Sequence, residues 1–118
     1  SCRTMQRALA ALPPARDATT AAQRADVVTA TGPVIASMVD DLRNASASLD
    51  DHDRALVDRW LDDWEAYNAD RQTYASNLRT NERAEFFVTR RGTGQITVTM
   101  DNFSRVNDLG DCLVPQDV

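Results

Sequence analysis

The sequence predicts a mainly α-helical fold: an elongated bundle built on two long antiparallel helices, with a small C-terminal β-hairpin and short terminal helices. Residues 51–79 contain no glycine or proline and carry apolar side chains at alternating three- and four-residue steps. Residues 20–42 carry a second stripe of this kind, whereas residues 86–99 contain short β-prone runs on either side of a glycine turn. A length of 118 residues suits one domain, 1–118, with one core.

The first helix is expected from Arg3 to Leu12. It ends at Pro13-Pro14, because the residue before a proline is pushed out of the helical region. A second helix is expected to begin near Thr20, where Gln23 three residues later completes a capping box.

The pair Gly32-Pro33 interrupts this second helix. A proline in a helix interior costs about 3 kcal/mol, so the pair marks either a kink or a junction between two helices. The apolar stripe keeps its phase across the interruption, which favours one kinked helix. Residues Asn44 to Leu49 are expected to form the turn that follows.

The third helix is expected from Asp51 to Arg79. At about 1.5 Å per residue it would be roughly 43 Å long, more than a compact domain of this size needs, so the molecule should be elongated. The acidic residues at its start are stabilised by the positive end of the helix dipole. Its apolar stripe consists of Val57, Trp60, Leu61, Trp64, Tyr67, Arg71, Tyr74 and Leu78.

The period then changes from helical to alternating. Residues 86–89 and 96–99 are expected to form two strands joined by a turn that contains Gly92 and Gly94. Thr99 is expected to cap a last helix from Met100 to about Leu109, which Gly110 ends.

Cys2 and Cys112 are the only cysteines and lie near opposite ends of the chain. They could form a disulfide, bind a metal or act as reactive thiols. One histidine and two cysteines make a poor zinc set, and there is no Cys-x-x-Cys motif. The disulfide is therefore favoured, and it implies an oxidising, extracytoplasmic compartment.

Charge and composition exclude several classes of function. The chain has a net charge of −5, which repels phosphate backbones, so nucleic acid is not expected as a partner. All basic residues are arginine, which excludes mechanisms based on a lysine amine. No apolar run is long enough to span a membrane. Because the sequence opens inside a helical pattern, we expect a signal or membrane-anchoring segment upstream of Ser1.

No residue pattern indicates a catalytic site, a metal site or a cofactor. His52 stands among aspartates at residues 50–53, but consecutive residues at a helix start point in different directions. The pairs Asp40-Asp41 and Asp62-Asp63 are adjacent on helices, so their members do not face each other and are expected to be solvated surface. We therefore predict that the protein is not an enzyme.

The aromatic stripe around Arg71 allows two interpretations. If Arg71 is buried, it must be paired with an acceptor from another element, and its role is structural. Alternatively, Tyr67, Arg71 and Tyr74 line an open groove that binds a small anionic ligand.

The second half of the chain resembles a family of uncharacterised actinobacterial proteins. These have a membrane-anchored or secreted helical domain without an assigned biochemical function. The resemblance implies a domain outside the membrane and brings no catalytic residues. We expect a non-enzymatic role in protein interaction or scaffolding at the cell envelope, or alternatively a small-ligand sensor that uses the aromatic face around Arg71. The resemblance rests on the runs Trp60-Leu61-Asp62-Asp63-Trp64-Glu65-Ala66-Tyr67, Asp70-Arg71 with Tyr74-Ala75 and Leu78-Arg79, Phe103-Ser104-Arg105-Val106-Asn107 and Cys112-Leu113-Val114-Pro115-Gln116-Asp117-Val118.

Overall fold

Two long helices packed side by side form the body of the molecule, and the remaining elements cover them. The computed structural model describes all 118 residues. Its principal extents of 47 × 33 × 19 Å confirm the elongated helical bundle. The elements are α1 (Cys2–Ala10), α2 (Ala21–Ser46), α3 (Asp51–Leu78), β1 (Arg90–Arg91), β2 (Gly94–Gln95) and α4 (Ile96–Val106), with single 3-10 turns at Ala15–Asp17 and Gly110–Cys112.

Side chains cap the starts of α2 and α3, and the cap of α2 is the predicted Thr20. The Thr20 hydroxyl accepts a hydrogen bond from the Gln23 backbone N–H at 3.1 Å. The Gln23 side chain completes a different contact from the expected box, because its Oε1 accepts from the backbone N–H of Thr19. The Asp50 carboxylate accepts from the Asp53 backbone N–H at 2.9 Å. These caps satisfy N–H groups that have no partner within a helix.

Helix α2 passes through Gly32-Pro33 as one helix, as the unbroken phase of its stripe predicted. Polar side chains of α3 bond to the α2 backbone around this point. Asn68 Nδ2 donates to the Gly32 carbonyl at 3.1 Å, and Gln72 Nε2 donates to the Val28 carbonyl at 3.3 Å. A Cβ at Gly32 would lie 2.7 Å from Gln72 Nε2, so the glycine permits this close approach.

The core lies between α2, α3 and α4. Trp64 and Leu61 of α3 are completely buried, which confirms that the longest helix turns its aromatic stripe inward. Met100 of α4 closes this core from a third side. A second, smaller core around Tyr74, Ala75 and Leu78 continues toward the end of α3.

The predicted bounds of the hairpin and the last helix are wrong. Only Arg90–Arg91 and Gly94–Gln95 pair as antiparallel strands, with the turn at Gly92, whose φ is +62°. Residues 96–99 belong to α4, which starts and ends earlier than expected. Ile96, Met100 and Ser104 follow at four-residue steps and are all buried, so burial on a helical face overrides the β propensity of the run.

The two ends of the chain meet at the disulfide. Cys2 and Cys112 are bonded, with their Cα atoms 5.1 Å apart, as the sequence favoured. Helix α1 ends at Ala10, two residues before the expected position at Leu12. No helix combines the length and apolar character that crossing a bilayer requires.

Candidate functional site

The three residues predicted as a candidate ligand site lie together on the inward face of α3. Tyr67, Arg71 and Tyr74 are separated by one and two helical turns, so they share a face. All three are buried, and the relative exposure of Arg71 is 0%. Their neighbours distinguish a structural role for Arg71 from an open groove that binds a ligand.

The guanidinium of Arg71 is held by three residues from different parts of the chain. It donates to both carboxylate oxygens of Asp117, at 2.8 and 2.7 Å. It also donates to the Thr31 hydroxyl of α2 at 3.0 Å and to the Tyr67 hydroxyl at 3.2 Å. We call Arg71, Asp117, Thr31 and Tyr67 the Arg71 cluster. A bidentate arginine–carboxylate pair is a strong and directional form of ion pair, so the cluster fixes the position of the C-terminal segment against α3.

The ionisation of the pair reflects this geometry. Burial alone would raise the pKa of Asp117, but the hydrogen bonds and the charge of Arg71 outweigh it and hold that pKa below its usual range. Burial alone would lower the pKa of Arg71, but the interactions with Asp117 and Tyr67 outweigh burial, so this pKa is raised. The pKa of Tyr67 is raised, because burial outweighs the favourable charge of Arg71. The pair is therefore ionised and Tyr67 is neutral at physiological pH.

The aromatic part of the face is filled by Phe86. The Phe86 ring lies 6.0 Å from the ring of Tyr67 and 5.6 Å from the ring of Tyr74, between centroids. Trp64 meets Tyr67 edge to face at 5.8 Å. The tyrosines that the ligand-site alternative placed along an open groove are thus packed against Phe86.

A surface groove of about 240 Å³ lies beside the Arg71 cluster. Its lining includes Thr31 and Asp117, together with Arg16 and Gln116, but not Tyr67, Arg71 or Tyr74. The geometry therefore favours the structural interpretation of Arg71, because the guanidinium is already paired with the carboxylate of Asp117.

Several contacts hold the C-terminal segment that carries Asp117. The backbone N–H of Val114 donates to Asp101 of α4 at 2.9 Å, and the Asp117 carbonyl accepts from the Arg16 backbone N–H at 3.0 Å. Gln6 of α1 donates to the Leu113 carbonyl at 3.4 Å. Together with the disulfide, these bonds join α1, α4 and the 3-10 turn at Ala15–Asp17 to the chain end.

Sequence analysis missed three members of this arrangement: Thr31, Phe86 and Asp117. Thr31 carried a signal, because it is a polar residue within the apolar stripe of α2, opposite an arginine in the stripe of α3. Phe86 and Asp117 lie outside the two long helices. Their contacts with α3 depend on the path of the chain after Leu78, which no local spacing indicates.

The pairs Asp40-Asp41 and Asp62-Asp63 were expected to be solvated, and this expectation is wrong for one aspartate. Asp40, Asp41 and Asp62 are exposed, but Asp63 is buried. One of its carboxylate oxygens lies 3.0 Å from a guanidinium nitrogen of Arg91 in β1, without hydrogen-bond geometry. Burial raises the pKa of Asp63, and the charge of Arg91 opposes the shift. Asp63 lies three residues after buried Trp60, so the two side chains share a face of α3.

Other charged groups lie on the surface. Arg43 of α2 lies 2.8 Å from Asp62 and 2.9 Å from Glu65 of α3, which adds an ion-pair network across the helix pair. His52 is exposed in the first turn of α3. No three metal-ligating side chains come together.

No known protein family, curated protein or solved structure matches this chain.

Proposed function

We propose that this chain is a non-enzymatic domain that acts outside the cytoplasm, in protein interaction or scaffolding at an actinobacterial cell envelope. The observation that carries the proposal is the distribution of exposed apolar side chains. Phe87, Val98 and Val106 are 74%, 58% and 84% exposed, and all three lie in the part of the chain that covers α3. A contiguous exposed apolar patch is typical of a protein-binding surface, and we propose that these three side chains contribute to one.

The rest of the molecule suits a rigid support for such a surface. The disulfide joins the two chain ends to each other, and the Arg71 cluster ties the C-terminal segment to both long helices. A disulfide that closes almost the whole chain is compatible with an oxidising compartment and is rare in reducing ones. The resemblance to anchored or secreted actinobacterial domains supports the same location.

The contacts of Arg71 favour an interaction domain over a small-ligand sensor. A sensor built on Tyr67, Arg71 and Tyr74 would have to displace both Asp117 and Phe86. Interaction through exposed residues needs no such rearrangement.

Site-specific photo-cross-linking in living cells tests the proposal. A photoreactive amino acid is placed at Phe87, Val98 or Val106, with exposed Asp53 on α3 as the matched control position. We expect discrete, heavier protein adducts from at least one apolar position and none from Asp53. Adducts absent from all three positions would contradict an interaction role.

The location is tested by thiol labelling of the protein in intact cells. We expect Cys2 and Cys112 to be unreactive until a reductant is added. Two free thiols in the freshly isolated protein would place it in a reducing compartment.

A further inference from the structure

The longest stretch of the chain outside the helices is residues 79–95, which join α3 to α4 and which we call the connector. Its four arginines are all exposed: Arg79, Arg83, Arg90 and Arg91. Every other arginine lies within an α-helix or in the 3-10 turn at Ala15–Asp17. Since the chain has no lysine, the connector holds all the Lys-type or Arg-type cations that lie outside helical structure.

Arg83 is the one arginine of the connector whose side chain has no partner. Arg79 and Arg91 form ion pairs with aspartates of α2 and α3, and Arg90 donates to a carbonyl in the hairpin turn. Arg83 is bonded only through its backbone N–H, which donates to Asn81 Oδ1 at 3.0 Å. Its guanidinium is therefore free to pair with a carboxylate in the pocket of another protein.

The backbone that follows Arg83 has few partners as well. Ala84 N–H donates to the Asn81 carbonyl at 3.0 Å, but residues Glu85–Val88 make no backbone hydrogen bond within the protein. The next bonded N–H is that of Thr89. Exposed segments of this kind are preferred sites of proteolytic nicking, because little structure must open before a protease can draw the chain into its cleft.

Exposed arginines within helices lack this accessible backbone. Arg59 is exposed on α3 and its side chain also has no partner, but the peptide groups around it belong to the helix. A chain segment that pairs with the backbone of another protein does so in extended form. Cutting after Arg59 would therefore require turns of α3 to unfold, together with the core around Trp60 and Trp64.

A cut after Arg83 leaves two pieces that the disulfide still joins. Residues 1–83 contain α1, α2 and α3, and residues 84–118 contain the hairpin and α4. Cys2 belongs to the first piece and Cys112 to the second, so their bond becomes the one covalent link. The second piece also keeps its buried contacts with α3, through α4 and the Arg71 cluster. Separation of the pieces therefore requires reduction as well as cleavage.

We propose that the peptide bond between Arg83 and Ala84 is the site at which an arginine-specific endopeptidase cleaves the folded protein, and that the disulfide retains the two pieces as one molecule. The protease binds the Arg83 guanidinium in a pocket with a carboxylate at its base, as trypsin does. Water adds across the C–N bond and leaves a carboxylate on Arg83 and an amine on Ala84. The inference goes beyond the proposed interaction function and does not depend on it.

Limited digestion of the native, disulfide-bonded protein with trypsin tests the inference. Because the chain has no lysine, trypsin can cut only after arginines. The first product should have the mass of the intact chain plus one water. After denaturation and reduction it should separate into residues 1–83 and 84–118, which mass spectrometry identifies.

Matched variants separate the effect of an exposed side chain from that of an accessible backbone. Arg83→Gln should abolish this pair of fragments, whereas Arg59→Gln should leave the first cut unchanged. Neither side chain has a partner in the protein, so both variants should melt like the parent. Phe86→Ala deletes the ring that packs against Tyr67 and Tyr74 and should speed the same cut, because protease access requires local opening.

Amide hydrogen exchange gives a readout that needs no protease. The amides of residues 85–88 should exchange faster than those around Arg59, and equal protection of the two regions would contradict an accessible connector. Three results of the digestion would overturn the inference. These are a first cut after any other arginine, resistance of the protein to trypsin until it unfolds globally, and fragments that separate without a reductant. A digest of Arg83→Gln identical to that of the parent would do the same.

Discussion

The Arg71 cluster makes a quantitative prediction about stability. Asp117→Ala removes both carboxylate oxygens and leaves the guanidinium of Arg71 buried, with only Thr31 and Tyr67 as acceptors. Removing one partner of a buried ion pair costs about 3–5 kcal/mol. The Asp117 side chain is 20% exposed, so water can reach part of the vacated space. We therefore expect a loss near the lower end, about 3 kcal/mol.

Arg71→Met should cost less, about 1–3 kcal/mol, because Asp117 can then turn toward solvent and the methionine fills part of the space. The double variant should lose less than the sum of the single losses, since a charge left without its partner causes much of each. Urea unfolding with the disulfide intact measures all three. A loss of 3 kcal/mol corresponds to a fall in melting temperature on the order of 10 °C.

Acid should remove the stabilisation that Asp117 provides. Its pKa in the folded protein is lowered, so the contribution is complete above the unfolded value and is lost as pH falls through the folded value. The difference in stability between the parent and Asp117→Ala should therefore begin to shrink as pH falls below about 4 and should vanish only below the folded pKa.

Gln116→Ala is the matched control, because it shortens an exposed neighbour in the same segment and should unfold like the parent. The reasoning is refuted if Asp117→Ala also unfolds within about 0.5 kcal/mol of the parent. That result would mean that water solvates Arg71, and it would favour the small-ligand interpretation of the aromatic face.

Three further predictions follow from buried groups. Trp64 is fully buried, so Trp64→Ala should destabilise the fold by about 3–5 kcal/mol in urea unfolding, and unchanged unfolding would show that the indole is exposed. Replacing Cys2 and Cys112 together by serine should cost up to about 4–5 kcal/mol, since the bond closes a loop of almost the whole chain. A double variant as stable as the parent would show that the bond does not restrict the unfolded chain. Asp63 has a raised pKa in the folded protein, so its charged form weakens stability progressively as pH rises through that value. Asp63→Asn should remove this pH dependence and stay within about 1 kcal/mol of the parent at pH 7, because the lost partner Arg91 is half exposed. A larger loss would show that the pair with Arg91 outweighs the cost of burial.

The local features of the long helices were predictable from sequence because they depend on neighbours in the chain. Thr20 and Asp50 cap the helices that follow them, and the stripe that contains Trp64 faces the core. The helical period, the caps and the absence of breakers each act within a few residues. The cysteine pair was predictable from composition, since only one intramolecular pairing exists.

Short β-prone runs were ambiguous for a physical reason. The run that begins at Ile96 has strand propensity, but Ile96 and Met100 also fit one face of a helix. Tertiary burial decided between them, because a helix places Ile96 and Met100 on one face, buried in the same core as Trp64. The same choice left Glu85–Val88 without a neighbouring strand.

By itself, the sequence determined the helical class, the two long helices, the disulfide partners and the need of a buried Arg71 for an acceptor. Only the tertiary structure decided that this acceptor is Asp117, that Phe86 fills the space beside Tyr67 and that Asp63 is buried. Secondary structure arises from contacts close in the chain, whereas these pairings join residues that are far apart in sequence. Asp117 lies 46 residues from Arg71, and no spacing rule extends across a chain that turns back on itself between them.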